Sequence, residues 1–75
     1  MTALYTDQDG KKHQLNINVL VKNERVVVCR VSTAINGPYF LHYHNVTGWK
    51  DLDHGETLLS RQMPFIVENP FNMHN

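Results

Sequence analysis

Apolar and polar residues alternate from residue 14 to residue 19 of this 75-residue chain. Gln14, Asn16 and Asn18 occupy the polar positions, and a period of two is typical of a strand with one buried face. The apolar positions between and after them are Leu15, Ile17, Val19 and Val21. A second run at 26–31, VVVCRV, is dense in β-branched residues, which favour strands. The two runs therefore predict an antiparallel hairpin.

The apolar faces of the two arms must coincide, since a slip of one residue would turn every side chain to the other face of the sheet. A three-residue loop, Lys22-Asn23-Glu24, satisfies this requirement. The resulting register pairs Val19 with Val27, Ile17 with Cys29 and Leu15 with Val31, and it places Asn23 or its neighbour in a left-handed backbone conformation.

Turn residues divide the rest of the chain into short segments. Asp9-Gly10 predicts a tight turn after a first strand, and the AINGP sequence at 34–38 predicts another. Strands are expected at 39–44 and 49–52, whereas 56–62 is too short for periodicity to separate a helical turn from a strand. The sequence PFIVE at 64–68 is interpreted as a last strand, with Pro64 at a sheet edge.

These segments predict an all-β domain, a small open antiparallel SH3-like barrel of five to six short strands with one optional helical turn. We expect residues 1–68 to form a single domain and 69–75 a loosely ordered tail. A domain of this size buries too little surface for a deep cleft, so a functional surface would be shallow.

Composition narrows the functional classes. Seven Lys and Arg balance seven Asp and Glu, so there is no overall basic excess of the kind typical of nucleic-acid binders. Cys29 is the only cysteine, which rules out an internal disulfide and suits a reducing compartment. With no signal-like segment and no long apolar run, a cytoplasmic location without membrane insertion is expected.

The stretch 39–49, YFLHYHNVTGW, concentrates the aromatic residues. On a strand, Tyr39 and Tyr43 share one face, which we expect to be the core face. The opposite, solvent-facing set is Phe40, His42 and His44. Trp49 is either a core residue or an interface anchor, and both interpretations stay open here.

The sequence YFLHYHNVTGWKDLD resembles the strand-turn-strand stretch of chromo-barrel and Tudor-like domains, which are SH3-type barrels that bind methylated lysine or nucleic acid. The resemblance covers about fifteen residues. It implies that Tyr43 and Trp49 are walls of an aromatic cage, with Asp51 or Asp53 as the acidic neighbour. The chain departs from the pattern by three inserted residues before Gly-Trp, and it lacks the second tryptophan. Tyr5 is a further candidate for a cation cage with Tyr43 and Trp49.

Two alternative functions would use different sets of side chains. A nucleic-acid surface would use four cations, Lys11, Lys12, Arg25 and Arg30. A metal site would use His42 and His44, which project from one face of a strand, with His54 as third ligand.

The sequence as a whole favours a non-enzymatic binding protein with no cofactor, since no nucleophile has a predictable base. A protein partner is favoured over nucleic acid because the charge is balanced and the aromatic residues are local. The expected partner-binding residues are Tyr39, Phe40, His42, Tyr43, His44 and Trp49. Chains of this size are frequent among phage and mobile-element inhibitors of host factors, so that role is expected too. A homodimer formed through an edge strand is a further expectation.

Overall fold

Five antiparallel strands and one helix account for most of the chain. The computed structural model describes residues 1–67 and 70–72. The strands are β1 (Thr2–Thr6), β2 (Lys12–Lys22), β3 (Val26–Ser32), β4 (Tyr39–His44) and β5 (Gly48–Asp51), followed by helix α1 (Leu58–Ile66) and a 3-10 turn at Pro70–Asn72. Each strand pairs with the next along the chain, in the order β1-β2-β3-β4-β5.

The turn between β1 and β2 forms where Asp9-Gly10 predicts it. Gly10 has φ of 82°, a left-handed conformation that glycine adopts without steric cost. One carboxylate oxygen of Asp7, Oδ1, accepts hydrogen bonds from the backbone N–H groups of Asp9 and Lys11, both at 2.9 Å. The side chain thus holds the turn that sets the β1–β2 register.

The predicted register of the β2–β3 hairpin is wrong by two residues, although the predicted core face is right. Ile17 pairs with Val31 and Val19 with Cys29, so the apolar faces still coincide. Past Val19 the ladder shifts by one residue, and Leu20 is the extra residue of a β-bulge. The bulge turns Val21 to the opposite face from the one that simple alternation predicts.

The hairpin loop also differs from the predicted one. Lys22 pairs with Val27, and Asn23 closes the turn by accepting hydrogen bonds at Oδ1 from the N–H groups of Arg25 and Val26, both at 2.9 Å. Within residues 1–67 and 70–72, positive φ occurs only at glycines, so no left-handed asparagine is present. The side chain, rather than the backbone conformation, makes this asparagine suitable for the turn.

Helix α1 replaces the strand predicted at 64–68. Thr57 caps it: the Ser60 N–H donates to Thr57 Oγ1 at 3.1 Å, and the Thr57 N–H donates to Ser60 Oγ at 2.7 Å. Pro64 lies inside the helix, where a proline costs about 3 kcal/mol relative to alanine. Burial of Met63 and of its neighbours at helical spacing offsets this cost. Residue 68, the last of the predicted strand, lies outside the described residues.

The sheet curls around one core, which it shares with α1. The buried apolar residues are Leu15, Ile17, Val27, Cys29, Val31, Leu41, Trp49, Leu59, Met63 and Val67. We call the face of the sheet that carries them the inner face and the opposite one the outer face. The predicted class is confirmed: the chain is all-β with one short helix, and its sheet is open and barrel-like.

The helix is tied to the edge of the sheet by one side chain. Gln62 accepts a hydrogen bond from the Thr6 N–H at 3.1 Å and donates one to the Thr6 carbonyl at 2.7 Å. The side-chain amide of Gln62 thus pairs with the backbone N–H and carbonyl groups at the end of β1, as a neighbouring strand would.

Part of the predicted loose tail packs against the domain. Pro70 is buried, and the ring of Phe71 meets that of Tyr43 edge-on, with centroids 5.6 Å apart. Residues 69 and 73–75 of the predicted tail lie outside the described part of the chain, so the predicted boundary between domain and tail stays a prediction.

Candidate functional site: the outer face of the sheet

The six expected partner-binding residues are divided between the two faces of the sheet. Tyr39, Tyr43 and Trp49 are on the inner face, where Trp49 is only 6% exposed. Tyr43 packs on Trp49 with ring centroids 5.4 Å apart, so this pair belongs to the core. The outer face carries Phe40, His42 and His44, all partly exposed, as the strand pattern predicts.

Apolar side chains continue across the outer face beyond Phe40. Leu20 and Val21 are 52% and 47% exposed, and Val28 is partly exposed. Val21 and Val28 are direct partners across β2 and β3. Because Arg30 pairs with Phe40, Val28 is the diagonal neighbour of Phe40, within reach of its ring. We call Leu20, Val21, Val26, Val28 and Phe40 the outer strip.

Cross-strand pairing places cations beside the outer strip. Arg30 lies opposite Phe40 on β4, and Lys50 on β5 lies opposite His42. His42 in turn pairs with Val28, so one row crosses four strands from Val21 to Lys50. Four strands at about 4.8 Å spacing span roughly 14 Å.

The sequence analysis identified part of this surface. Phe40, His42 and His44 follow from the alternation within β4. Leu20, Val21 and Lys50 were not recognised. The outward orientation of Val21 depends on the bulge in the pairing of β2 with β3, and the position of Lys50 depends on the pairing of β5 with β4. Two adjacent large apolar residues, Leu20 and Val21, are the available sequence signal for such an irregularity.

The four cations of the nucleic-acid alternative do not form one groove. Lys11 lies in the β1–β2 turn and Lys12 begins β2, whereas Arg25 lies in the loop at the other end of that 11-residue strand. Arg30 is in the middle of β3. Because these four cations are dispersed, they do not form a single positive groove, and nucleic-acid binding stays a prediction.

The three histidines of the metal alternative are not brought together. His54 lies in the loop after β5, where its Nδ1 is 3.3 Å from Asp51 Oδ1, while His42 lies on the outer face of β4. His44 Nδ1 accepts a hydrogen bond from the Val46 N–H at 3.1 Å. Within residues 1–67 and 70–72, no three His, Cys, Asp or Glu side chains gather as metal ligands would.

A second polar region, missed by the sequence analysis, lies at one end of the inner face. Two neighbouring cavities, of about 220 and 200 Å³, share Tyr5 and Tyr39 as walls. His13 Nε2 lies 2.7 Å from Asp7 Oδ2 in the first cavity. That contact is the main cause that lowers the pKa of Asp7, while burial, followed by Tyr39 and Asp7, raises the pKa of Tyr5. The Asp9-Gly10 turn signal could have placed Tyr5 opposite His13.

The polar groups of this region are engaged with each other and with the backbone. Asp51 Oδ1 accepts hydrogen bonds from the N–H groups of Asp53 and His54, at 2.8 and 3.0 Å. Among the described residues, no buried side-chain polar atom lacks a partner. The cavities therefore form a small polar recess, whereas the outer strip presents exposed apolar side chains.

Comparison of the chain with family models, with curated proteins and with solved structures finds no significant match. In the described part of the chain, no helix has the length and apolar character needed to cross a membrane.

Proposed function

We propose that this chain is a small non-enzymatic binding domain that engages a protein partner through the outer face of its sheet. The observation that supports it is the outer strip, which places partly exposed apolar side chains on the solvent side of the central strands. The solvent face of an antiparallel sheet is ordinarily polar, and here β2 is polar on that face only up to Asn18. An exposed apolar patch rimmed by polar residues is typical of a protein contact.

The apolar surface that a partner could bury on the outer strip is small, which suits a modest affinity. Covering the exposed half of Leu20 or Val21 would contribute about 1 kcal/mol each, and Phe40 would add a similar amount. Association costs at least about 4 kcal/mol in lost translation and rotation. Burial of these three side chains alone therefore does not offset the cost of association, and polar contacts at the edge of the strip would have to supply the rest.

The proposal includes the absence of enzymatic activity and a cytoplasmic location. Cys29, the only thiol, is fully buried, and burial raises its pKa to about 11, which suits an inert core side chain rather than a nucleophile. An unpaired thiol is also compatible with the cytoplasm. Inhibition of a host factor is the role that we propose for such a domain, on the ground of its size alone.

The test is capture of a partner by the immobilised chain and by variants that make the outer strip polar. Val21→Thr combined with Val28→Thr keeps β-branched side chains on β2 and β3 while removing apolar surface. Ile35→Thr is the matched control, because Ile35 is 75% exposed in the loop between β3 and β4 and is not part of the outer face. We expect the double variant to lose the partner and the control to keep it. Equal capture by all three chains, each shown to be folded by circular dichroism, would contradict the proposal.

A further inference from the structure

The charges of this neutral chain are separated between the sheet and the loops. On the outer face, β2, β3 and β5 carry one cation each: Lys12, Arg30 and Lys50. The acidic residues at described positions lie in turns and loops, with one exception, which is Asp51 on the inner side of β5 and 5% exposed. The strands of the outer face therefore present positive charge without a compensating carboxylate of their own.

Arg30 and Lys50 are the outer-face cations that pair with Phe40 and His42, and they are available to a partner. Neither forms an ion pair within residues 1–67 and 70–72. They lie two strands apart, roughly 10 Å across the sheet, with Phe40 and His42 on the strand between them. This spacing allows one segment lying over β4 to reach both cations.

From this arrangement we infer that the partner presents an acidic surface with apolar side chains between its carboxylates. The inference rests on the proposed function and adds the chemistry of the partner to it. Complementary charge orients two surfaces and selects among partners. Carboxylates facing Arg30 and Lys50 would provide the polar contacts that the outer strip lacks by itself.

Other occupants fit less well. A second copy docked face to face would bring the cations of the two outer faces together, and like charges disfavour that contact. A nucleic acid would need several large stacking platforms along a positive groove, whereas Phe40 is the one Phe, Tyr or Trp ring on this face among the described strands, beside the smaller imidazole rings of His42 and His44. An acidic protein segment could pack apolar side chains on the outer strip and place carboxylates next to the cations.

The inference can be tested by NMR titration of the 15N-labelled full chain with defined probes. One probe is a nine-residue peptide that alternates glutamate with valine, the second replaces each glutamate by lysine, and the third is a short DNA duplex. We expect the glutamate peptide to shift the amide signals of Val28, Phe40 and Lys50. Binding should weaken about threefold to tenfold when Arg30→Gln and Lys50→Gln are combined. The control is Lys11→Gln with Arg61→Gln, which removes the same charge elsewhere and should leave the affinity unchanged.

Each of the other outcomes would overturn a specific claim about the partner. Equal binding of the two peptides, with loss in Val21→Thr combined with Val28→Thr, would retain the outer face as the site and overturn the acidic partner. Tighter binding of the DNA duplex through the same signals would replace the protein partner by a nucleic acid. If no probe shifts the outer-face signals, the inferred acidic partner is overturned, whereas the proposed function is decided separately by the capture experiment.

Discussion

The bulge at Leu20 predicts an asymmetry between two single-residue deletions in the same strand. Val19 pairs with Cys29 and Val21 with Val28, so Leu20 is surplus to the ladder. Removing it joins two segments that are already in register, and every other side chain keeps its face. Leu20 is 52% exposed, so deletion forfeits about 1 kcal/mol of burial, and we expect a total loss of stability of about 1–2 kcal/mol.

Deletion of Asn16, another exposed residue of β2, should be far more damaging. If the bulge absorbs the missing residue, Asn18 replaces Ile17 on the inner face; if it does not, Gln14 replaces Leu15. Both replaced side chains are essentially buried, at 2% and 0% exposure. Losing one costs about 2–5 kcal/mol, and burying an amide adds about 1–3 kcal/mol. A 75-residue domain has about 4–11 kcal/mol of stability in total.

Urea and thermal unfolding followed by circular dichroism would measure both deletions. The Leu20 deletion should unfold cooperatively with a melting temperature lower by about 4–16 °C. The Asn16 deletion should lose most of its cooperative transition. Similar destabilisation by the two deletions, or an unfolded Leu20 deletion, would refute the assigned register and bulge.

Three further predictions concern stability. Gln62→Ala removes two hydrogen bonds to the backbone of β1 and should cost about 1–3 kcal/mol in urea unfolding; a loss below about 0.3 kcal/mol would contradict the tie between helix and sheet. Gly37→Ala should destabilise more than Gly10→Ala, since both have positive φ but only Gly37 would place a new Cβ 3.0 Å from neighbouring atoms; equal melting temperatures would disagree. The contact with His13 lowers the pKa of Asp7 below 3.8, so the associated stability is present above about pH 4 and lost as pH falls below it. Asp7→Asn should therefore flatten the acid side of the stability profile, and an unchanged slope below pH 4 would argue against the interaction.

The strands were predictable because their signals are local. The Asp9-Gly10 turn and the alternation of Leu15 and Ile17 with polar residues each depend on neighbours within a few positions. The bulge was not predictable in this way, since Val21 continues the alternation of Val19 and only the pairing with β3 shows that it has changed face.

Helix α1 was only partly predicted, since a helical turn and a strand both stayed open for 56–62 and a strand was expected at 64–68. Pro64 suggested the start of a strand and cut the helical segment into pieces too short to show a period. The spacing of Leu59, Met63 and Val67 across the proline is helical, and Thr57 with Ser60 supplies a capping box. Tertiary packing here outweighs local propensity.

The candidate site was predictable to the same extent as the strands. Alternation within β4 separated Phe40, His42 and His44 from the core side chains, but it could not show that Trp49 is buried. Nor could it show that Arg30 and Lys50 lie on the same surface as Phe40, because that depends on the registers of three strands.

Site-specific photocrosslinking to the captured partner tests the central claim most directly. The crosslinking residue p-benzoylphenylalanine would be placed at Phe40 on the outer face or, in a separate chain, at Phe65 on α1. Phe65 is 91% exposed and is therefore the main apolar rival to the outer strip. Crosslinking from position 40 and none from position 65 is the predicted result. Crosslinking from position 65 alone would place the partner on the helix and contradict the assignment of the outer face as the binding surface.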